Sequence, residues 1–186
     1  GKIHEVVGSS GKLSAQIEQG APYHILMSAD ENYPQELYKK GMAVGEPKVY
    51  AYGTLVLWTF SDLDLSQSLY VLALDQVKKI VIADPLTAPY GAQAINAMKK
   101  YGIYGHISQK LVYGESIAQV NQYIINAGAD LGFTSKSVVL SSEYKDKGRW
   151  IDVDESLYQP MPQMCVILRY ALDNNIKEAR EFYAFL

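Results

Sequence analysis

Lys79-Ile80-Val81-Ile82-Ala83 runs into Asp84-Pro85-Leu86-Thr87-Ala88-Pro89-Tyr90-Gly91, and the segment that follows closes at Tyr101-Gly102. An apolar run of this length bounded by turn residues reads as a buried strand, at residues 79–83. Pro89 suits the first position of a helix, where its missing N–H costs nothing, and Gly102 suits the residue beyond the end. The succession then repeats. Residues 110–113 read as a strand, Ser116 as the cap of a helix with Val120 and Ile124 four apart, Gly128 as its stop, and 131–134 as a third strand. Strand and helix in alternation predict an α/β fold with a mainly parallel sheet and helices on both faces. Ligands of such sheets sit at the carboxyl ends of strands, beside helix starts.

Working outward, residues 3–7 read as a strand, Ser10 as the cap of a helix that stops at Gly20, 25–28 as a strand and 33–40 as a helix ended by Gly41. Residues 45–53 contain Gly and Pro and read as a connector, followed by a strand at 55–60 and a short helical stretch near 66–75. Beyond the central repeat come a weak helical stretch at 136–140, a charged turn at 145–149, strands at 150–153 and 163–169, and a helix over 174–186.

Composition narrows the function classes. The formal charge is −3, with no basic stripe, which argues against a nucleic-acid partner. It does not argue against a small anion, which local N–H and O–H donors can hold. The single cysteine, Cys165, excludes a disulfide framework, and His4, His24 and His106 lack metal spacing. No apolar run approaches the ~20 residues of a membrane span.

Three helix starts at strand ends stand out: Gly8-Ser9-Ser10-Gly11, Ala88-Pro89-Tyr90-Gly91 and Glu115-Ser116-Ile117. Each offers hydroxyl or main-chain donors next to the partial positive charge of a helix N-terminus. A serine ahead of a helix is ordinarily a cap worth ~1 kcal/mol. Three such starts in one chain carry more weight together, and all of them donate, which describes a receptor for a small anion without a proton.

Enzyme motifs fall away on inspection. Gly11-Lys12 resembles the end of a phosphate-binding loop, but Val6 and Leu13 stand where the pattern needs Gly and Ser or Thr. Ser-x-x-Lys occurs twice, at Ser9–Lys12 and Ser142–Lys145, without its companion motifs. With no nucleophile, base or metal set, the expectation is that the protein is not an enzyme and uses no cofactor.

The run Gly8-Ser9-Ser10-Gly11-Lys12-Leu13, then Gln16-Ile17-Glu18, Gly20-Ala21-Pro22 and Ser28-Ala29-Asp30, resembles the molybdate-binding proteins of bacterial ABC transporters. The likeness continues in order through Tyr50-Ala51-Tyr52-Gly53, Leu55-Val56-Leu57-Trp58, Ala88-Pro89-Tyr90-Gly91, Gly132-Phe133-Thr134 and Tyr158-Gln159-Pro160. The resemblance implies a two-lobed, type II periplasmic-binding-protein-like fold with the ligand cleft between the lobes. The first lobe would be 1–54 with 156–186 returning to it, and the second 55–155. It implies a ligand, molybdate or tungstate, a permease partner, and export to the periplasm or the cell surface as a lipoprotein. Ser10 resembles the family's hydroxyl ligand, with Ser9 beside it, and Tyr90 and Ile117 resemble residues that give main-chain N–H groups. Ser135 stands where some members carry a tyrosine hydroxyl, and His24 where Asp is common.

Family members open with a further strand and serine turn and continue past the last helix, so the expectation is a chain trimmed at both ends, without its signal peptide. That trimming would weaken the first lobe. Two alternatives stay open: a receptor for another tetrahedral oxyanion such as sulfate, or an oxyanion-sensing module of a regulator.

Overall fold

The computed structural model describes residues 3–186. In chain order its elements are α1 (Ser10–Glu18), β1 (Ile25–Ser28), α2 (Asn32–Lys39), β2 (Ala43–Gly53), β3 (Leu55–Thr59), a 3-10 stretch (Leu65–Ala73), β4 (Ile80–Ala83), α3 (Pro89–Tyr101), α4 (Tyr104–Ile107), β5 (Leu111–Gly114), α5 (Ile117–Ile125), β6 (Leu131–Ser135), α6 (Lys136–Val139), β7 (Arg149–Asp152), β8 (Met161–Leu168), α7 (Arg169–Asp173) and α8 (Lys177–Phe185). The chain divides into two compact units. One runs up to Tyr52 and resumes over Met161–Leu186; the other is Gly53–Pro160. The sequence puts the corresponding breaks near 54 and 156.

In the first unit the sheet order is β1-β8-β2, and β1 runs antiparallel to β8 with Leu26 opposite Val166 and Ser28 opposite Met164. Ile17 of α1 and Leu37 of α2 bury against Leu26, Ala43, Val166 and Leu168. The stretch expected as a connector at 45–53 is instead most of β2. Gly45 and Pro47 mislead there because an edge strand tolerates residues that a central strand would reject. The helix expected over 174–186 is α8, starting at Lys177, and a short helix that the sequence reading lacks, α7, precedes it. Asn175 takes a left-handed φ of 53° between α7 and α8, a conformation that Asn tolerates better than most residues.

Residues 3–7 form no strand. Ile3, Val6 and Val7 are 74%, 53% and 71% exposed, and no described strand pairs with them, so their β propensity has no ladder to join.

In the second unit the sheet order is β5-β4-β6-β3-β7. β4 is parallel to both β5 and β6, whereas β3 is antiparallel to β6 and to β7. The sheet is therefore mixed rather than mainly parallel. The parallel trio is joined by the helical crossovers α3 and α5, which parallel neighbours require; β3 and β7 pair antiparallel and require none. Alternation along the chain reveals the elements but not the direction of strands outside the crossovers. Val56, Trp58, Val81 and Ala83 of the sheet meet Val120 and Ile124 of α5 in the core. Gly132 lets β6 close on β4: a Cβ at this position would lie 2.6 Å from the Val81 carbonyl oxygen.

Candidate functional site

At the start of α1, Ser9 is the N-cap residue by its backbone (φ −67°, ψ 148°), yet its side chain makes no capping bond. Ser10, expected as the cap, is the first helical residue. Both are buried, at 4% and 6% exposure. Ser9 Oγ has no hydrogen-bond partner among the described residues. Ser10 Oγ accepts a bond from the Ala29 amide at 3.1 Å. A hydroxyl has one proton to give and two lone pairs to fill, so both serines keep a proton uncommitted. An unpaired buried hydroxyl costs roughly 1–3 kcal/mol. Two uncommitted hydroxyl protons at a helix start, where partial positive charge gathers, suit a ligand that only accepts.

The turn that follows β1 braces this pair. Ser28, fully buried, donates to Asp30 Oδ1 at 3.0 Å and accepts from the Asp30 amide at 3.3 Å. Asn32 Nδ2 donates to the other carboxylate oxygen at 3.2 Å. Burial pushes the Asp30 carboxyl above its ordinary range, against the lowering by bonds from Ser28, Asn32 and the Tyr33 amide.

In the second unit the candidate positions lie at the carboxyl ends of the three parallel strands. Tyr90 is the second residue of α3, which follows β4; Ile117 is the first residue of α5, which follows β5; Ser135 ends β6 and caps α6. The register that places Ala83 opposite Gly114 puts the first two of these ends side by side. α3 sits close to β4 because its third residue is Gly91, where a Cβ would lie inside contact distance of the Ala83 carbonyl oxygen. Ser116 caps α5 by accepting from the Gln119 amide at 3.4 Å, as the sequence implies.

Tyr90 and Ser135 are brought into direct contact. The buried Tyr90 hydroxyl donates to Ser135 Oγ at 3.0 Å. Ser135 Oγ also accepts from the Ser137 amide at 3.3 Å and lies 2.7 Å from Ser137 Oγ. Ile117, the first residue of α5, has no polar side-chain atom and takes no part in this hydroxyl group.

Sequence reasoning did not assign the supports of these positions. Ser28, Ala29 and Asp30 do their work through a turn whose only signal is Ser-x-Asp after a strand. Tyr158 accepts from the Leu55 amide at 3.2 Å, and Thr134 Oγ1 donates to Asn121 at 2.6 Å in a buried pair. Neither has a local pattern. Among the described residues no three His, Cys, Asp or Glu side chains gather as a metal site.

The sequence profile for bacterial extracellular solute-binding proteins matches residues 1–186. The molybdate-binding protein ModA of Azotobacter vinelandii is 38% identical over 184 residues, which covers 95% of this chain and 71% of that protein. The molybdate-binding protein ModA of Rhodobacter capsulatus is 37% identical over 173 residues, covering 92% and 67%. Among solved structures, a periplasmic molybdate-binding protein of Azotobacter vinelandii matches with a TM-score of 0.86 at 32% identity, over 96% of this chain and 80% of that one.

Proposed function

The chain belongs to the bacterial extracellular solute-binding proteins, and on that premise we propose that it is the receptor that captures molybdate, and tungstate with it, for an ABC transporter. It acts outside the cytoplasmic membrane, in the periplasm or on a lipid anchor, and hands the oxyanion to the permease. Its work is capture and release, with no bond made or broken in the ligand.

The residues we assign to the anion are Ser9 and Ser10 of the first unit and Tyr90, Ile117 and Ser135 of the second. Ser9 and Ser10 give hydroxyl protons. Tyr90 and Ile117 give main-chain N–H groups at helix starts, and Ser135 joins through the Tyr90 hydroxyl. The observation that carries this is the pair of buried serine hydroxyls with protons to give, one of them without a partner among the described residues, at the start of α1. Neutral and main-chain donors hold a divalent anion without fixing a full counter-charge beside it, so binding stays reversible.

Isothermal titration of the chain with molybdate, tungstate, sulfate and phosphate tests the proposal. Molybdate and tungstate should bind, and phosphate should not. A preference for sulfate would move the assignment to another oxyanion receptor, and no binding of any of the four would overturn it.

A further inference from the structure

Ser135 is the one assigned hydroxyl whose hydrogen-bonding capacity is already used. Its oxygen accepts twice, from the Tyr90 hydroxyl at 3.0 Å and from the Ser137 amide at 3.3 Å. A serine oxygen has two lone pairs, and both are then filled. The contact with Ser137 Oγ at 2.7 Å must therefore run outward, with Ser135 giving its own proton. The direction of the chain is fixed: Tyr90 to Ser135 to Ser137. Ser9 and Ser10 present the opposite case, since each keeps its proton.

We infer that Ser135 is a positioning residue, which acts on the anion through Tyr90 and not by a bond of its own. This rests on the molybdate reading above and refines one residue of it. The bond to Ser135 fixes the phenol at the far end of the Tyr90 side chain, while its near end belongs to the first turn of α3. The hydroxyl pair is buried, so water competes little for it and the ring is held in one orientation. Fixing the ring at one end and the helix at the other removes freedom from the backbone at Tyr90. The same Ser135 oxygen caps α6, so the strand end that holds Tyr90 is itself tied down.

Two variants break the bond from opposite sides, and a third keeps it. Tyr90→Phe removes the donor and leaves the α6 cap; Ser135→Ala removes the acceptor and the cap; Ser135→Thr keeps the oxygen and restores both. If Ser135 works through Tyr90, Tyr90→Phe and Ser135→Ala each weaken molybdate binding by about three- to tenfold. The double variant is then no weaker than the poorer single one, and Ser135→Thr recovers most of the loss. A large loss in Ser135→Ala, with Tyr90→Phe unchanged and the two effects multiplying, would mean a direct bond to the anion and would overturn the inference. The second arm needs no ligand. With tyrosines labelled at Cζ, the Tyr90 carbon resonance should move in Ser135→Ala and return in Ser135→Thr; no movement overturns the pair itself. A parent chain that fails to bind molybdate overturns the molybdate reading, while the resonance still decides whether Ser135 holds Tyr90.

Discussion

Ser10 Oγ accepts the amide of Ala29 at 3.1 Å, a bond between the first turn of α1 and the residue that follows β1. It joins positions nineteen apart in sequence and sets the serine's role, because an oxygen already occupied as acceptor has its proton left for something else. Ser10→Ala should weaken molybdate binding by about 1.5–3 kcal/mol, the range for a hydrogen bond to a charged group. It also strips the Ala29 amide of its partner, so some stability goes too. Calorimetric titration beside a melting curve separates the two losses; unchanged affinity would remove Ser10 from the site.

Ser9 should behave differently. Its oxygen is buried and has no partner among the described residues, so in the absence of ligand the hydroxyl is a burden of roughly 1–3 kcal/mol. Ser9→Ala is expected to raise the melting temperature of the ligand-free chain and to lower molybdate affinity by about ten- to a hundredfold. Opposite signs in stability and binding mark a residue kept for the ligand. A variant that melts lower and binds as before would contradict this.

Phosphate is tetrahedral yet should be refused. At neutral pH it retains a proton that needs an acceptor, whereas molybdate has none, and serine hydroxyls and amides committed as donors cannot take it. Leaving that proton unpaired in a dry site costs about 1–3 kcal/mol or more. Competition titration at pH 7 is the measurement, and comparable affinity for the two anions would rule out an all-donor site.

Gly91→Ala is expected to do the most damage for the smallest change. The added methyl would collide with the Ala83 carbonyl oxygen, which is strand backbone and cannot move aside. α3 would have to lift off β4 at its first turn, carrying Tyr90 with it. Overpacking of this kind costs typically 1–3 kcal/mol, and both thermal stability and molybdate affinity should fall. Loss of stability alone, with full affinity, would show that the placement of α3 does not matter to the ligand.

What the sequence made legible follows from how local each signal is. The crossovers around α3 and α5 have caps, stops and apolar runs within a few residues of one another, and their bounds are legible nearly to the residue. β2 was hidden because Gly45 and Pro47 carry a turn signal that an edge strand overrides. The direction of β3 and β7 depends on partners far along the chain, such as Val56 facing Thr134 and Asp152, and no local pattern encodes it. Residues 3–7 show the converse, a strand-like composition with no described strand beside it to pair with.

The site divides in the same way. Ser9, Ser10, Tyr90 and Ile117 sit at helix starts that announce themselves. The bond from Tyr90 to Ser135 spans 45 residues and the bond from Ala29 to Ser10 spans 19, and neither has a local signature. The roles of Ser135 and Ala29 thus emerge only from the fold.

Asp30 supplies a pH dependence of unusual sign. Burial raises its carboxyl above the ordinary value of 3.8, so the folded chain holds this proton more tightly than the unfolded chain does. Between 3.8 and the raised value the native state binds more protons than the unfolded state, and stability falls as pH rises through that window. Above it the penalty is complete and constant. Carboxylates lowered by bonds in the folded state, as Asp64 and Asp154 are by Ser66 and Ser156, act in the opposite direction. Asp30→Asn removes the titration while its altered hydrogen bonds add an offset independent of pH. Equilibrium unfolding of parent and Asp30→Asn from pH 3.5 to pH 7 should therefore give a stability difference that moves in favour of the variant as pH rises and then levels. A difference that stays flat, or moves in favour of the parent, would mean that the bonds from Ser28 and Asn32 outweigh burial at Asp30.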